Sequence, residues 1–430
     1  MSPATKSRPN ALRALNSRNY RLFFGGQSVS LVGTWITRVA TSWLVYRLTG
    51  SDLLLGVVAF CGQIPTLVLA PFAGVLVDRL DRHKILVTTQ VLSALQSLAL
   101  AILALTKLIT VTDILLLQLA QGMINAFDTP SRQSFLVEMV ENRADLPNAI
   151  ALNSSMVNGS RIIGPSIGGL LIAGFGEGWC FMLDAISYIA VIASLLLMTV
   201  KHHQGERHGV RAVDQLVEGF RYVSRFAPIR NALLLLAIVA TMGVPYSVLM
   251  PAIAAGVLHG GAHTLGFLMT AAGVGALGGA FYLAARPSVL GLGRVMVVAT
   301  VAFGLSLMAF ALSRTLWMSL LILPLVGAGM MVATAATNTI LQTIVEERLR
   351  GRVMAFFTMA FLGTAPIGSL LAGAAAARFG SAMTIFAGGV ACLVGAFWFA
   401  RSLPKLQALV RPIYIQRGII TDDSDLRVGL

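Results

Sequence analysis

Gly74-Val75-Leu76-Val77-Asp78-Arg79-Leu80-Asp81-Arg82-His83-Lys84 separates two long apolar runs. Residues 53–77 before it and 85–106 after it contain no charged side chain, whereas Asp78, Arg79, Asp81, Arg82 and Lys84 crowd the junction. A helix of about 20 apolar residues crosses the roughly 30 Å hydrocarbon layer of a bilayer. It also satisfies its own backbone hydrogen bonds, as lipid requires. The stretch therefore reads as a short polar loop between two membrane helices.

The same alternation extends outward along the chain. Of 430 residues, 56% are hydrophobic and 12% charged, with a mean hydropathy of +0.80. Soluble domains carry about 25% charged residues, so an ordinary soluble fold is excluded. Apolar runs at 22–46, 53–77, 85–106, 112–136, 150–174 and 178–199 are followed by a polar stretch. Further runs lie at 231–254, 264–285, 293–312, 316–342, 353–377 and 382–400. The expected fold class is all-α integral membrane, with twelve transmembrane helices in two pseudo-symmetric six-helix bundles.

The expected domains are an N-terminal arm (1–21), a bundle (22–199), a central loop (200–230), a second bundle (231–400) and a tail (401–430). The arm is polar and basic and no cleavage signal follows it, so the first span is expected to stay in the membrane. With the N-terminus inside, 26 of the 32 Lys and Arg residues fall on that side. The positive-inside rule then puts both termini in the cytoplasm of a multi-pass plasma or inner-membrane protein. The net charge of +14 is explained by this asymmetry and does not point to nucleic acid.

The two halves echo each other. Gly164-Pro165-Ser166-Ile167-Gly168-Gly169 in span 5 matches Ala365-Pro366-Ile367-Gly368-Ser369 in span 11, with the prolines 201 residues apart. Six spans plus six, with a Pro/Gly-interrupted helix in each half, is the pattern of a transporter built from two repeats. Close packing of small residues gives the same signature. In the central loop, Val213, Leu216, Val217, Phe220 and Val223 recur at helical spacing, which predicts an amphipathic helix along the inner interface. The tail after Arg401 carries no legible function.

Taken whole, the Gly74 to Lys84 string resembles the loop 2-3 motif of the major facilitator superfamily, G-x-L-x-D-R-x-G-R-K, with Asp81 where glycine is usual. Gly74 permits close helix contact, and Asp78 suits a helix N-terminus. The resemblance implies that Asp78 meets the start of span 11 and that Arg82 meets an acid on span 4. Asp128 is placed to be that acid. With Arg79 these residues would form a gate between the halves. The span 5 string, with Gly164, Pro165, Gly168 and Gly169, resembles the motif of exporter branches. Leu341-Gln342-Thr343, Glu346 to Val353 and Gly219-Phe220-Arg221-Tyr222 resemble the enterobactin-exporter group within the drug–proton antiporter branch.

These resemblances imply a secondary active transporter working by alternating access. It would be a proton-coupled exporter of a siderophore or an amphipathic drug-like molecule, with efflux and multidrug resistance as the physiological setting. A lipid or lysolipid flippase on the same fold is the alternative, and a non-transporting membrane receptor or scaffold is the reading from a different class. A monomer in the lipid bilayer is the family default. No cofactor is expected, the proton gradient being the driving force. No Gly-Lys dipeptide occurs, so the phosphate-cradling loop G-x-x-x-x-G-K-[ST] is missing and ATP is not the direct driver. Cys61, Cys180 and Cys392 are isolated, and His259 with His263 has no third ligand, so no metal site is expected. Short outer loops and the lack of hydrolytic His or carboxylate pairs in the spans argue against an enzyme.

Polar residues inside spans are costly in lipid and mark a cavity or a partner. On span 4, Gln118, Gln121, Asn125 and Asp128 form one face, and span 5 has Ser154, Asn158, Arg161 and Pro165. Span 1 offers Ser30, Thr34 and Arg38, and span 10 offers Thr334, Asn338 and Gln342. The resemblance implies that spans 1, 4, 7 and 10 border a central cavity, so three of these stripes are candidates for the pathway. Bonding between helices is the competing role for each Asn, Gln or Thr. Arg38 and Asp184 both lie roughly 9 to 12 Å deep and could form an ion pair. Arg161, near mid-depth, is a candidate for binding an anionic or phenolic substrate. Asp184 and Asp128 are the candidate proton carriers.

Overall fold

A computed structural model of the chain describes residues 10–199, 212–286 and 288–420, with a few side chains within them excepted, those of Asp78 and Arg79 included. The described residues form fifteen α-helices, and the expected spans overlap them. In the first half these are α1 (Arg18–Thr49), α2 (Asp52–Arg79), α3 (Arg82–Leu105), α4 (Val111–Met139), α5 (Leu146–Phe175) and α6 (Glu177–Leu196). The second half comprises α7 (Ala212–Arg225), α8 (Ala227–Ile238), α9 (Tyr246–Ala252), α10 (Ala262–Ala284), α11 (Leu292–Leu312), α12 (Leu316–Ile344), α13 (Glu347–Thr358), α14 (Ala365–Phe379) and α15 (Ser381–Gln416).

Among the described residues, nine of these helical runs are long and apolar enough to span a membrane. α1, α4 and α5 fall outside that set, and each carries one of the polar stripes, the fourth lying on the more apolar α12. Polarity placed for another purpose lowers their hydropathy.

Contacts gather the chain into two units, residues 1–48 with 61–208 and residues 49–60 with 209–430. In the first unit, local chemistry sets several helix ends. Asp81 caps α3, its carboxylate accepting from the His83 and Lys84 amides at 3.0 and 3.3 Å. That is the use this chain makes of an acid where the motif has glycine. Thr110 and Asp113 form a capping box on α4. Gly176, at φ 85°, turns α5 directly into α6. The core gathers Tyr20, Phe23, Leu86, Phe135, Met139, Tyr188, Val191 and Leu195. Tyr20 donates to the Ala149 carbonyl at 2.8 Å.

α5 corrects one expectation, because it runs through Pro165 without interruption. Gly164 lies against Trp35 of α1, and a Cβ on Gly168 would come within 3.2 Å of Ile36 Cα. This close packing braces the helix across the hydrogen bond that proline removes. In the second unit the break does occur. A π-helical turn at Met359–Gly363 precedes Pro366 and divides α13 from α14. Two more π turns, Val239–Gly243 and Ile253–Val257, flank the proline-bearing α9. π turns inside α-helices often occur at functional sites.

Within the second unit, α14 turns into α15 at Gly380, φ 83°, matching the α5–α6 turn at Gly176. Residues 49–60 join this unit because small residues let α2 and α14 touch through their backbones. A Cβ on Gly56 would come within 2.5 Å of the Ser369 carbonyl oxygen and 3.0 Å of Gly373 Cα. Asp52 accepts a hydrogen bond from Ser381 at 2.8 Å. α15 continues beyond the expected end of its span to Gln416, and Leu403, Leu406, Val410 and Tyr414 are buried in the unit's core. Arg417 donates to the Val345 carbonyl at 2.8 Å.

The amphipathic helix expected in the central loop is α7. Val223 enters the core, while Val217 and Phe220 remain exposed. Glu218 receives Arg348 at 2.8 Å and also pairs with Arg352, so α7 is clasped to α13. The Arg348 hydrogen bond, reinforced by the charge of Arg352, holds the Glu218 carboxyl below the usual carboxylate range.

Candidate functional site

The loop 2-3 residues divide their partners differently from the expectation. Arg82 meets Glu138, near the end of α4, at 2.6 Å, and not Asp128. Asp128, 3% exposed, is bound by Arg132 one turn along α4 and accepts from Gln90 at 2.7 Å and Thr89 at 3.0 Å. The physical reason is reach. Arg82 opens α3 and so lies level with the end of α4, whereas Asp128 lies nearly three turns before that end. His83 extends the same junction to α6, its Nε2 lying 2.8 Å from the Leu195 carbonyl oxygen. The side chains of Asp78 and Arg79, and the contacts expected of them, lie outside the described residues. Gly74 does not supply the expected close contact, since a Cβ there would meet no described atom within 4 Å.

The α4 stripe is continuous and turned inward on its own unit. Gln121 donates to Ser93 at 3.2 Å and to Asn125 at 3.1 Å, and the Gln118 side chain packs against Gly62. These contacts join α4 to α3 and α2, the bonding role set against the pathway role. On α1, Thr34 is exposed and returns its hydroxyl to the Ser30 carbonyl at 3.0 Å. Asn158 on α5 donates to the Ser154 carbonyl at 2.9 Å. On α12, exposed Gln342 donates to Asn338 at 2.8 Å, so this pair presents a polar surface within the second unit.

Arg38 and Asp184 do not pair. Helix register separates them, because Gly33 and Thr37 occupy the face of α1 turned to α6, and Thr34 and Arg38 lie about 100° around it. Asp184, 1% exposed, accepts from Ser97 of α3 at 2.7 Å. Its other oxygen, Oδ1, faces Thr37 and Ser187 without a well-formed hydrogen bond. No ion pair among the described residues includes it. A fully buried carboxylate whose neighbours are hydroxyls differs in kind from Asp128, which is held by a guanidinium.

Arg38 instead lies over the ring of Trp35, with Cζ 5.0 Å from the centroid. Arg161 approaches the same ring at 5.9 Å. Arg38 is exposed and Arg161 half-buried on the first unit, and neither has a carboxylate partner among the described residues. An Arg at a span centre costs about 2.5–3.5 kcal/mol on insertion scales. A cation–π contact returns about 0.5–2 kcal/mol. The indole thus offsets only part of the cost of two guanidiniums.

Trp35 was not singled out by sequence reading, although its place three residues before Arg38, on the same helical surface, is a usable signal. The bidentate pair of Arg47 with Glu177, at 2.8 and 3.1 Å, was also missed. Its partners are distant in sequence and no motif links them.

Among the described residues the chain is a bundle of helices with membrane-spanning runs, the architecture of a multi-pass membrane transporter, and the family match places it in the major facilitator superfamily. Residues 10–412 match the family described as transmembrane secretion effector, and the chain belongs to that family. It is 25% identical to the staphyloferrin A transporter of Staphylococcus aureus, over 90% of this chain and 97% of that protein. It is 29% identical to the multidrug efflux pump Tap of Mycolicibacterium fortuitum, over 90% and 92%. A variant of the nucleoside transporter NupG shares the fold, with a TM-score of 0.72 and 13% identity, over 91% of this chain and 99% of that one. The resemblance carried by the Gly74 to Lys84 string is confirmed at the level of family.

Proposed function

We propose that this protein is a proton-coupled exporter of a siderophore or an amphipathic drug-like molecule. It would reside in the plasma membrane as a monomer, with both termini cytoplasmic and two six-helix halves alternating access to a site between them. Support for the substrate class comes from relatives that move a siderophore and that pump drugs. The asymmetry of Lys and Arg supports the orientation.

The observation that carries proton coupling is Asp184. A coupling carboxylate must gain and lose a proton within the transport cycle, so it cannot be permanently neutralised by a cation. Asp128 fails that condition because Arg132 is paired with it, and Thr89 and Gln90 donate to it. Asp184 meets it. Gly33 and Thr37 of α1, Ser97 of α3 and Ser187 of its own helix surround it, and none of these is charged. Tyr188, one turn further along α6, is a titratable neighbour of it.

Asp184→Asn tests the proposal in proteoliposomes loaded with a fluorescent efflux substrate. The variant is expected to lose accumulation driven by a pH gradient while retaining substrate–substrate exchange, which needs no net proton movement. Gradient-driven accumulation at the wild-type rate would remove Asp184 from the coupling step.

A further inference from the structure

Two guanidiniums converge on one indole in the membrane-spanning part of the first unit, and no acid answers them among the described residues. Arg38 comes from α1 and Arg161 from α5, so two different helices bring positive charge to Trp35. Each has a polar residue one turn earlier on its own helix, Thr34 before Arg38 and Asn158 before Arg161. Both of these already bond a carbonyl of their own helix and so supply little compensation for the charge. Asp184, the acid expected at Arg38's depth, faces away from it into the α1–α3–α6 interface.

Convergence on Trp35 is not accidental crowding. Gly164 sits directly on Trp35, and this close approach of α5 to α1 brings Arg161, one turn earlier, to the ring that Arg38 already covers. Like charges held together at membrane depth repel, and a guanidinium is built to bind carboxylate with two parallel hydrogen bonds. A neutral or cationic molecule would leave that repulsion in place. An anion with two or more ionised oxygens would cancel it.

We propose that Arg38 and Arg161, positioned by Trp35, form the binding subsite for a multiply charged, carboxylate-bearing substrate. This rests on the reading of the chain as an exporter and names the chemical class of its cargo. Trp35 acts through the arginines, keeping the guanidiniums apart and oriented while the subsite is empty.

The test is equilibrium binding to the full chain in phosphatidylcholine nanodiscs without any gradient. Citrate serves as the polycarboxylate probe, benzoate as the monocarboxylate and tetraphenylphosphonium as the cation. Citrate is expected to bind saturably and more tightly than benzoate, and tetraphenylphosphonium is expected not to displace it. Arg38→Gln and Arg161→Gln should each weaken citrate at least tenfold, with the double variant losing it. Arg161→Lys should recover part of the affinity, because it restores charge without the planar fork. Trp35→Leu should weaken citrate less than either arginine substitution does.

Equal citrate affinity in wild type and the double Gln variant would overturn the proposal. So would binding of tetraphenylphosphonium, but not citrate, to the wild type. Binding is read without proton flux. A failure of proton coupling therefore leaves this result standing. Intact gradient-driven export of a cation together with absent citrate binding would sink the subsite alone.

Discussion

The assignment of Asp128 to architecture is open to a direct thermodynamic test through Arg132. Asp128 is 3% exposed and carries three partners, of which Arg132 is the only cation and is itself partly exposed. Arg132→Ala leaves the carboxylate with the Thr89 hydroxyl and the Gln90 amide, enough to orient it but not to neutralise it. Removing one member of a buried ion pair costs about 3–5 kcal/mol, because the other charge stays buried. Asp128→Asn removes the charge and keeps the shape, at a cost nearer the ~1 kcal/mol of a hydrogen bond. The double variant Asp128→Asn with Arg132→Ala should therefore be more stable than Arg132→Ala alone by about 2 kcal/mol or more. Reversible unfolding in mixed micelles, with all four proteins in one cycle, measures this. If the double variant is no more stable than Arg132→Ala, the charge of Asp128 is not held by that guanidinium, and the case for assigning proton coupling to Asp184 loses its contrast.

Three further outcomes follow from the packing. Gly275→Ala should abolish folded yield, because its Cβ would coincide with the Pro324 carbonyl oxygen where α10 meets α12, whereas Gly74→Ala should purify and melt as the wild type does. Size-exclusion profiles of the two variants decide this, and a normal Gly275→Ala profile refutes it. The Glu218 clasp should hold at neutral pH and loosen only as acid passes below the usual carboxylate range, because its folded-state titration lies lower than the unfolded one. Spin labels on α7 and α13 should then separate on acidification, and in Glu218→Gln they should be separated already at pH 7. Leu406→Ala should cost about 2–5 kcal/mol as a buried truncation, while exposed Leu409→Ala should be near neutral; equal melting of the two variants would show that the end of α15 is not part of the core.

The helical membrane class was legible because lipid imposes a long-wavelength rule, about 20 apolar residues per crossing, that any one chain displays. The Gly74 to Lys84 string was legible as a family mark for a similar reason, since its charges lie together in sequence. Helix ends were local too, as Asp81 and Thr110 cap the helices that follow them. The partner of each charged group was not legible. Arg82 could reach acids at several heights on α4, and Glu138 in place of Asp128 was settled by where α3 begins. Arg38 and Asp184 were expected at one depth but do not share a helix face, so an expected ion pair became two separate groups. Pro165 and Pro366 match in sequence, yet only the second has a π turn before it, because Gly164 and Gly168 pack α5 onto α1.

From sequence alone came a membrane-spanning helical bundle and the superfamily its loop 2-3 motif marks. These depend on composition along one chain and on motifs whose members are neighbours. Tertiary structure alone decided that Asp128 is paired, that Asp184 is surrounded by hydroxyls, and that Arg38 and Arg161 meet over Trp35. Those outcomes depend on the rotation of each helix about its axis. A turn of 100° per residue changes a side chain's neighbours without changing its depth, and only packing against the other helices fixes that angle.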